Sequence, residues 1–202
     1  MVLFFRLPFN NIWPEEPVEF SATSQVARLF YITIPSIALI WYLLLKAKSI
    51  KEWGISLPKK QDFVAFFISL PALILVSATV FFVSSHLDKS SFTGPRLLPP
   101  QDFVSWIVLV VSCVFSAFLE ESYFRFYLLS KHEDMKINTH IAVLMSTILF
   151  SCCHIYEGPW GFLNSAISAV VLAYSFLRFR SLYGIVLAHA VYNVLAYVIG
   201  AA

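Results

Sequence analysis

The segment Glu120-Glu121-Ser122-Tyr123-Phe124-Arg125 lies inside a run that otherwise reads as lipid-soluble. Seventeen uncharged residues, Phe103 to Leu119, precede it, and Phe126-Tyr127-Leu128-Leu129 follows. A charge near a bilayer centre costs at least about 2.5–3.5 kcal/mol, so three such groups together mark a functional site with partners on neighbouring helices. Further polar groups lie in or beside apolar stretches. His154 ends Phe150-Ser151-Cys152-Cys153-His154, and His189 and Asn193 bracket His189-Ala190-Val191-Tyr192-Asn193. Glu157 opens the turn Glu157-Gly158-Pro159-Trp160-Gly161.

Spacing sorts these groups. Residues four apart share a helix face, and an acid placed N-terminal to a base is the better order. Glu121 and Arg125 are such a pair and read as an ion pair supporting the site. Glu120 is five residues from Arg125, points elsewhere and is freer to react. His189 and Asn193 share one face, as do Phe150 and His154. A carboxylate beside an imidazole in a dry pocket can take a proton from water. A second imidazole and a carboxamide can donate to a developing oxyanion. Together these are the parts for amide hydrolysis by activated water. Cys152 and Cys153 adjoin His154, but neighbours in a helix point apart, so a Cys/His nucleophile is not expected.

Each group alone also has a plainer reading. Glu120 and Glu121 could end a helix at the interface, and His154 could be a satisfied core histidine. His189 and Asn193 could bridge two membrane helices, as such residues commonly do. Phe150 reads as packing, and Glu157 as interfacial or as part of a substrate entrance. His86, His132 and His140 lie in loops or at a helix start with no evident partner.

The elements that must position these groups are membrane spans. The chain is 59% hydrophobic and 13% charged, against about 25% charged in a soluble domain. Mean hydropathy is +0.76. The expected fold is all-α, a polytopic transmembrane bundle of about six spans with the active site inside the membrane. The spans are placed at about Leu29–Leu45, Phe63–Val83, Phe103–Leu129, His140–Cys153, Phe162–Phe179 and Leu182 to the C-terminus. The first contains Pro35 and the second Pro71. Residues 1–202 read as one transmembrane domain, with the motif-bearing portion at about 103–202. Asn10 to Ser21 reads as a polar leading segment and Ser84 to Pro100 as the clearest linker. No cleavable signal peptide is convincing, because Val2 to Leu7 is short, interrupted by Arg6 and followed by Pro8. Cys113, Cys152 and Cys153 read as buried apolar residues rather than a disulfide framework. The aromatic residues, including Trp13, Trp41, Trp53, Trp106 and Trp160, fit interfacial belts rather than a cofactor site.

Basic residues orient the bundle. Lys46, Lys48, Lys51, Lys59 and Lys60 follow span one; Arg125, Lys131 and Lys136 follow or end span three; Arg178 and Arg180 follow span five. Cytoplasmic loops carry the Lys/Arg excess, so both termini are expected outside. At about 1.5 Å per residue, Glu120 then lies ~13–14 Å from a cytoplasmic end at Leu129, His189 ~10 Å from Leu182, and His154 ~21 Å from His140. His154 thus stands about a turn and a half too deep.

Glu-Glu-x-x-x-Arg at Glu120, Glu121 and Arg125, Phe-x-x-x-His at Phe150 and His154, and His-x-x-x-Asn at His189 and Asn193 follow in order on successive spans. This pattern resembles the CPBP (Abi) family of intramembrane proteases, which includes the CAAX prenyl endopeptidase, from about Val104 onward. The resemblance implies that Glu120 and His154 activate the water and that His189 and Asn193 hold the oxyanion. It implies that Glu121 and Arg125 orient the site, and that neither metal nor cofactor is needed. Bacterial members include bacteriocin-processing and immunity proteins, and others are thought to remove C-terminal sorting signals. The chain is shorter than the eukaryotic CAAX enzymes, which tells against a prenylated substrate. The expected partners are the lipid bilayer and a membrane-anchored protein or peptide, cut near its C-terminus, in a bacterial cytoplasmic membrane; nucleic acid is not expected.

Two other functions stay open. Glu120, His154 and His189 form a ligand set known for catalytic zinc, although His-Glu-x-x-His is lacking. The buried charges could also serve a non-enzymatic transporter or bacteriocin-immunity protein, with polar groups near the midplane of broken helices.

Overall fold

A computed structural model describes residues 19–45, 59–87 and 98–200, and among these the regular structure is entirely helical. The elements are α1 (Ala22–Arg28), a π-helical turn (Leu29–Thr33), α2 (Ile34–Leu45), α3 (Lys60–Leu87), α4 (Phe103–Glu121), a second π-helical turn (Ser122–Tyr127), α5 (Leu128–Asp134), α6 (Thr139–Cys152), a 3-10 turn (Ile155–Glu157), α7 (Gly158–Phe179) and α8 (Leu182–Gly200). Most of the Asn10–Ser21 segment, Lys46 to Lys51, Trp13, Trp53 and the centre of the Ser84–Pro100 linker lie outside the described residues.

Five stretches are long and apolar enough to cross a membrane: Ala22–Leu45, Lys60–Leu87, Phe103–His132, Ile155–Phe179 and Leu182–Ile199. The chain is an integral membrane helix bundle. The remaining apolar helix, Thr139–Cys152, has 14 residues and spans about 21 Å, short of a hydrocarbon core of about 30 Å. It therefore stops within the bundle and hands the chain to a turn there. The second span runs further than its apolar core requires, from Lys60 through Pro71 to Leu87, past the expected linker start at Ser84. Pro35 follows the first π turn directly, where the bonding pattern changes and a missing N–H is tolerated.

Helix starts are capped by short polar side chains, which satisfy N–H groups that have no intrahelical partner. Asp102 accepts from the Ser105 N–H at 2.9 Å and from its hydroxyl at 2.6 Å. These bonds hold the Asp102 carboxyl below its ordinary range. Asn138 accepts from the His140 N–H at 2.9 Å. Ser181 accepts from the Gly184 N–H at 3.0 Å while donating its hydroxyl to Asp62 on α3. Gly184 is required there, because a Cβ would run into the Asp62 carbonyl and the Ala65 methyl.

α3 packs against α7 and α8, α4 against α8, and α6 against α7. The core between them is built from Leu73, Ala117, Phe126, Leu172, Phe176 and Ile185. Trp41 of α2 covers this core, stacking on Phe118 at 5.7 Å and on Phe126 at 6.0 Å. The Asp62–Ser181 bond joins the start of α3 to the α7–α8 turn. A 2.7 Å bond between His140 and Tyr174 joins the start of α6 to the end of α7. Lys59, Lys60, Lys136, Arg178 and Arg180 thus lie toward one end of the bundle.

Candidate active site

The Glu-Glu pair ends α4, and the next six residues form a π-helical turn. Single π turns inside α-helices are often found at functional sites. Here the Leu128 N–H reaches back five residues to the Tyr123 carbonyl. A return to four-residue bonding skips one carbonyl, the next along, that of Phe124. Ser146 of α6 donates its hydroxyl to that oxygen at 2.8 Å. The turn is therefore completed by a neighbouring helix, and it ties α4 to α6 beside the charges.

Glu121 and Arg125 are both fully buried, with Oε2 and Nε 3.2 Å apart. The contact is an ion pair whose N–H is not aligned as a hydrogen bond. Arg125 also points Nη2 at the Ala169 carbonyl, at 3.5 Å, and lays its guanidinium over the Phe150 ring, 4.3 Å from the centroid. A desolvated cation over an aromatic face is stabilised by about 2 kcal/mol.

His189 enters from α8 between the two carboxylates. Its Nδ1 is 2.8 Å from Glu121 Oε1, and its Nε2 is 3.7 Å from Glu120 Oε2. Adjacent helix residues diverge by about 100°, so one imidazole reaches both only by seating in the wedge between them. Glu120 keeps 23% of its side chain exposed, whereas Glu121 keeps none. With His189 protonated, the two glutamates, the arginine and the imidazole are neutral as a group, the least costly state in a dry interior.

Phe150 is the hub. Its ring meets His154 in a stack at 4.5 Å, His189 at 6.1 Å, Phe124 edge-on at 5.2 Å, and Arg125 through the cation contact. His154 Nδ1 is 2.9 Å from the Phe150 carbonyl, which accepts only from a protonated nitrogen. That bond leaves His154 Nε2 as the outward-facing atom. Asn193 lies one turn along α8 from His189 and is half-buried. The adjacent Tyr192 hydroxyl donates to Ser77 at 3.0 Å and accepts from Asn164 at 2.9 Å, fixing the rotation of α8 against α3 and α7. Among the described residues, no three His, Cys, Asp or Glu side chains gather as a metal-ligand group.

The helix of the third span continues through the π turn and α5 to Asp134, past Leu129. Glu120 lies about 21 Å of helix from Asp134, as His154 does from His140. Sequence reasoning missed Ser146, which bears no charge and sits in an ordinary apolar run, and it gave Phe150 too small a part. An aromatic four residues before a histidine was the available signal for Phe150.

Residues 101–195 match the family described as type II CAAX prenyl endopeptidase Rce1-like. The match takes in Glu120, Glu121, Arg125, His154, His189 and Asn193 and begins just before α4. No curated protein and no solved structure matches the chain.

Proposed function

Because residues 101–195 belong to the CPBP/CAAX protease family, we propose that this chain is a glutamic intramembrane endopeptidase. Peptide hydrolysis follows from the family; the residue roles and the substrate are our own reading. Glu120 is the general base and His154 its partner in orienting water. Glu120 removes one proton from the water, while His154 Nε2 accepts a hydrogen bond from the O–H that the attacking oxygen keeps. The oxygen attacks the scissile carbonyl, and the C–N bond breaks as Glu120 returns the proton to the leaving nitrogen. His189 Nε2–H and the Asn193 carboxamide receive the oxyanion. Glu121 and Arg125 hold His189 in place.

The observation that carries this reading is the buried imidazole shared by two adjacent carboxylates of unequal exposure. Glu121, sealed between Arg125 and His189, is suited to support. Glu120, partly exposed and 3.7 Å from His189 Nε2, is suited to react. That gap exceeds a hydrogen bond, so the His189 donor is open to a substrate oxygen. The substrate is the C-terminal or juxtamembrane segment of another membrane-associated chain in a bacterial cytoplasmic membrane. It unwinds locally, because a helical peptide bond is shielded.

The test compares cleavage of membrane-anchored substrates by wild type, Glu120→Gln and His154→Ala, each with and without chelator. Chelator-resistant cleavage that disappears in both variants supports the proposal. Cleavage abolished by chelator points to a metal enzyme, and cleavage that survives Glu120→Gln ends the residue assignment.

A further inference from the structure

α8 changes character partway along. From Leu182 to Ala190 it is buried except at Tyr183 and Leu187, and His189 lies in this stretch, held by its own bond to Glu121. From Val191 to Leu195 every residue is only half-buried. Asn193 falls here, so apolar packing grips the helix less where the proposed oxyanion donor stands. At this level the Tyr192 hydroxyl reaches two other helices. It donates to Ser77 Oγ of α3 at 3.0 Å and accepts from Asn164 Nδ2 of α7 at 2.9 Å. All three residues lie inside apolar spans. α3 and α7 pack against each other, so the two partners share one base, and α8 is tied to both through a single oxygen. None of the three has a part in the chemistry proposed above.

We infer that Tyr192, clamped between Ser77 and Asn164, is a positioning residue that sets the place of the neighbouring Asn193 carboxamide at the oxyanion. The inference rests on the hydrolytic reading of the site. Apolar helices in lipid have no hydrophobic drive toward one rotation about their axes, so interhelical hydrogen bonds and close packing fix it. The phenol ring is long and rigid, and its oxygen meets one donor and one acceptor from two helices at a single rotation of α8. Tyr192 and Asn193 diverge by about 100° around the helix, so the clamp acts from a side other than the reacting one. A side-chain tip stands ~5–6 Å from the helix axis, and a rotation of about 20° would carry it about 2 Å. A misplacement of about 1 Å can cost about 10²-fold in rate. His189 depends less on that rotation, because Glu121 holds its ring directly.

The test uses the full chain in detergent, with two changes that remove the same bonds from opposite sides. Tyr192→Phe keeps the ring and loses the hydroxyl. Ser77→Ala combined with Asn164→Leu keeps the hydroxyl, leaves α8 untouched and removes both partners. Each should lower kcat about tenfold with KM within about twofold. Added to Asn193→Ala, neither should slow the reaction beyond Asn193→Ala alone, because the clamp acts through that carboxamide. Losses that multiply, or a kcat left at the wild-type level, overturn the inference. Either variant suffices should the other fail to fold. A readout independent of cleavage is the Asn193 side-chain amide signal in NMR spectra of asparagine-labelled protein, assigned by its loss in Asn193→Ala. It should shift or broaden when Ser77→Ala and Asn164→Leu are introduced together. An unmoved signal overturns the inference whatever the activity shows. A moved signal in a chain that cleaves nothing sustains the positioning of Asn193 by Tyr192 and sinks the hydrolytic reading instead.

Discussion

Glu121 Oε1 stands 2.8 Å from His189 Nδ1 across the α4–α8 interface, and the other oxygen of the same carboxylate faces Arg125. One buried anion thus answers two groups from two directions. Removing it strands a fully buried guanidinium, and breaking a buried pair from one side costs about 3–5 kcal/mol. Glu121→Gln should lower thermal stability in detergent by that order. Glu121→Leu combined with Arg125→Met should lose less than either single substitution, because neither member of the ion pair is then left without the other. A double variant less stable than both singles would refute this account of the pair.

Ser146 completes the π turn by taking up the Phe124 carbonyl. Ser146→Ala leaves that buried oxygen without a donor, a loss of about 1–3 kcal/mol. Ser116, half-buried on α4, is the comparison site, where the same change should be within about 0.5 kcal/mol. Equal losses at the two positions would mean that the turn does not depend on Ser146.

Asn193 is proposed as an oxyanion donor, so its contribution belongs to the transition state. Asn193→Ala should reduce kcat about 10²–10³-fold with KM nearly unchanged. A rise in KM alone would assign Asn193 to substrate binding or to packing between α8 and its neighbours.

Asp102 caps α4, and its carboxyl is held below the ordinary range by the Ser105 hydroxyl and N–H. A depressed folded-state pKa contributes stability that is present above the unfolded pKa and lost as pH falls through the folded one. The melting temperature of wild type should therefore fall on the acid side, below about pH 4. Asp102→Asn keeps the capping oxygen and does not titrate, so its acid limb should be flatter than that of wild type. Parallel acid limbs in the two proteins would show that the cap does not contribute to acid sensitivity.

The sequence by itself determined that charged groups must be buried, and which ones. Glu120, Glu121 and Arg125 sit in a run too apolar to deliver them to water, and the four-residue spacing of Glu121 and Arg125 already specifies their ion pair. Helix spacing is local geometry, set by the rise and rotation per residue, so pairs within one helix are legible from the chain. Contacts between helices are not, because they depend on the rotation and axial register of each helix, which packing decides. Only the tertiary structure decided that both carboxylates face one imidazole, on opposite nitrogens. It alone continued the helix of the third span through a π turn and α5 to Asp134. The π turn at Ser122–Tyr127 has no sequence signature of its own, since it depends on a hydroxyl from α6. Phe150 likewise became the centre of the site because Arg125, His154 and His189 arrive at its ring from three separate segments, and no periodicity within one segment records that meeting.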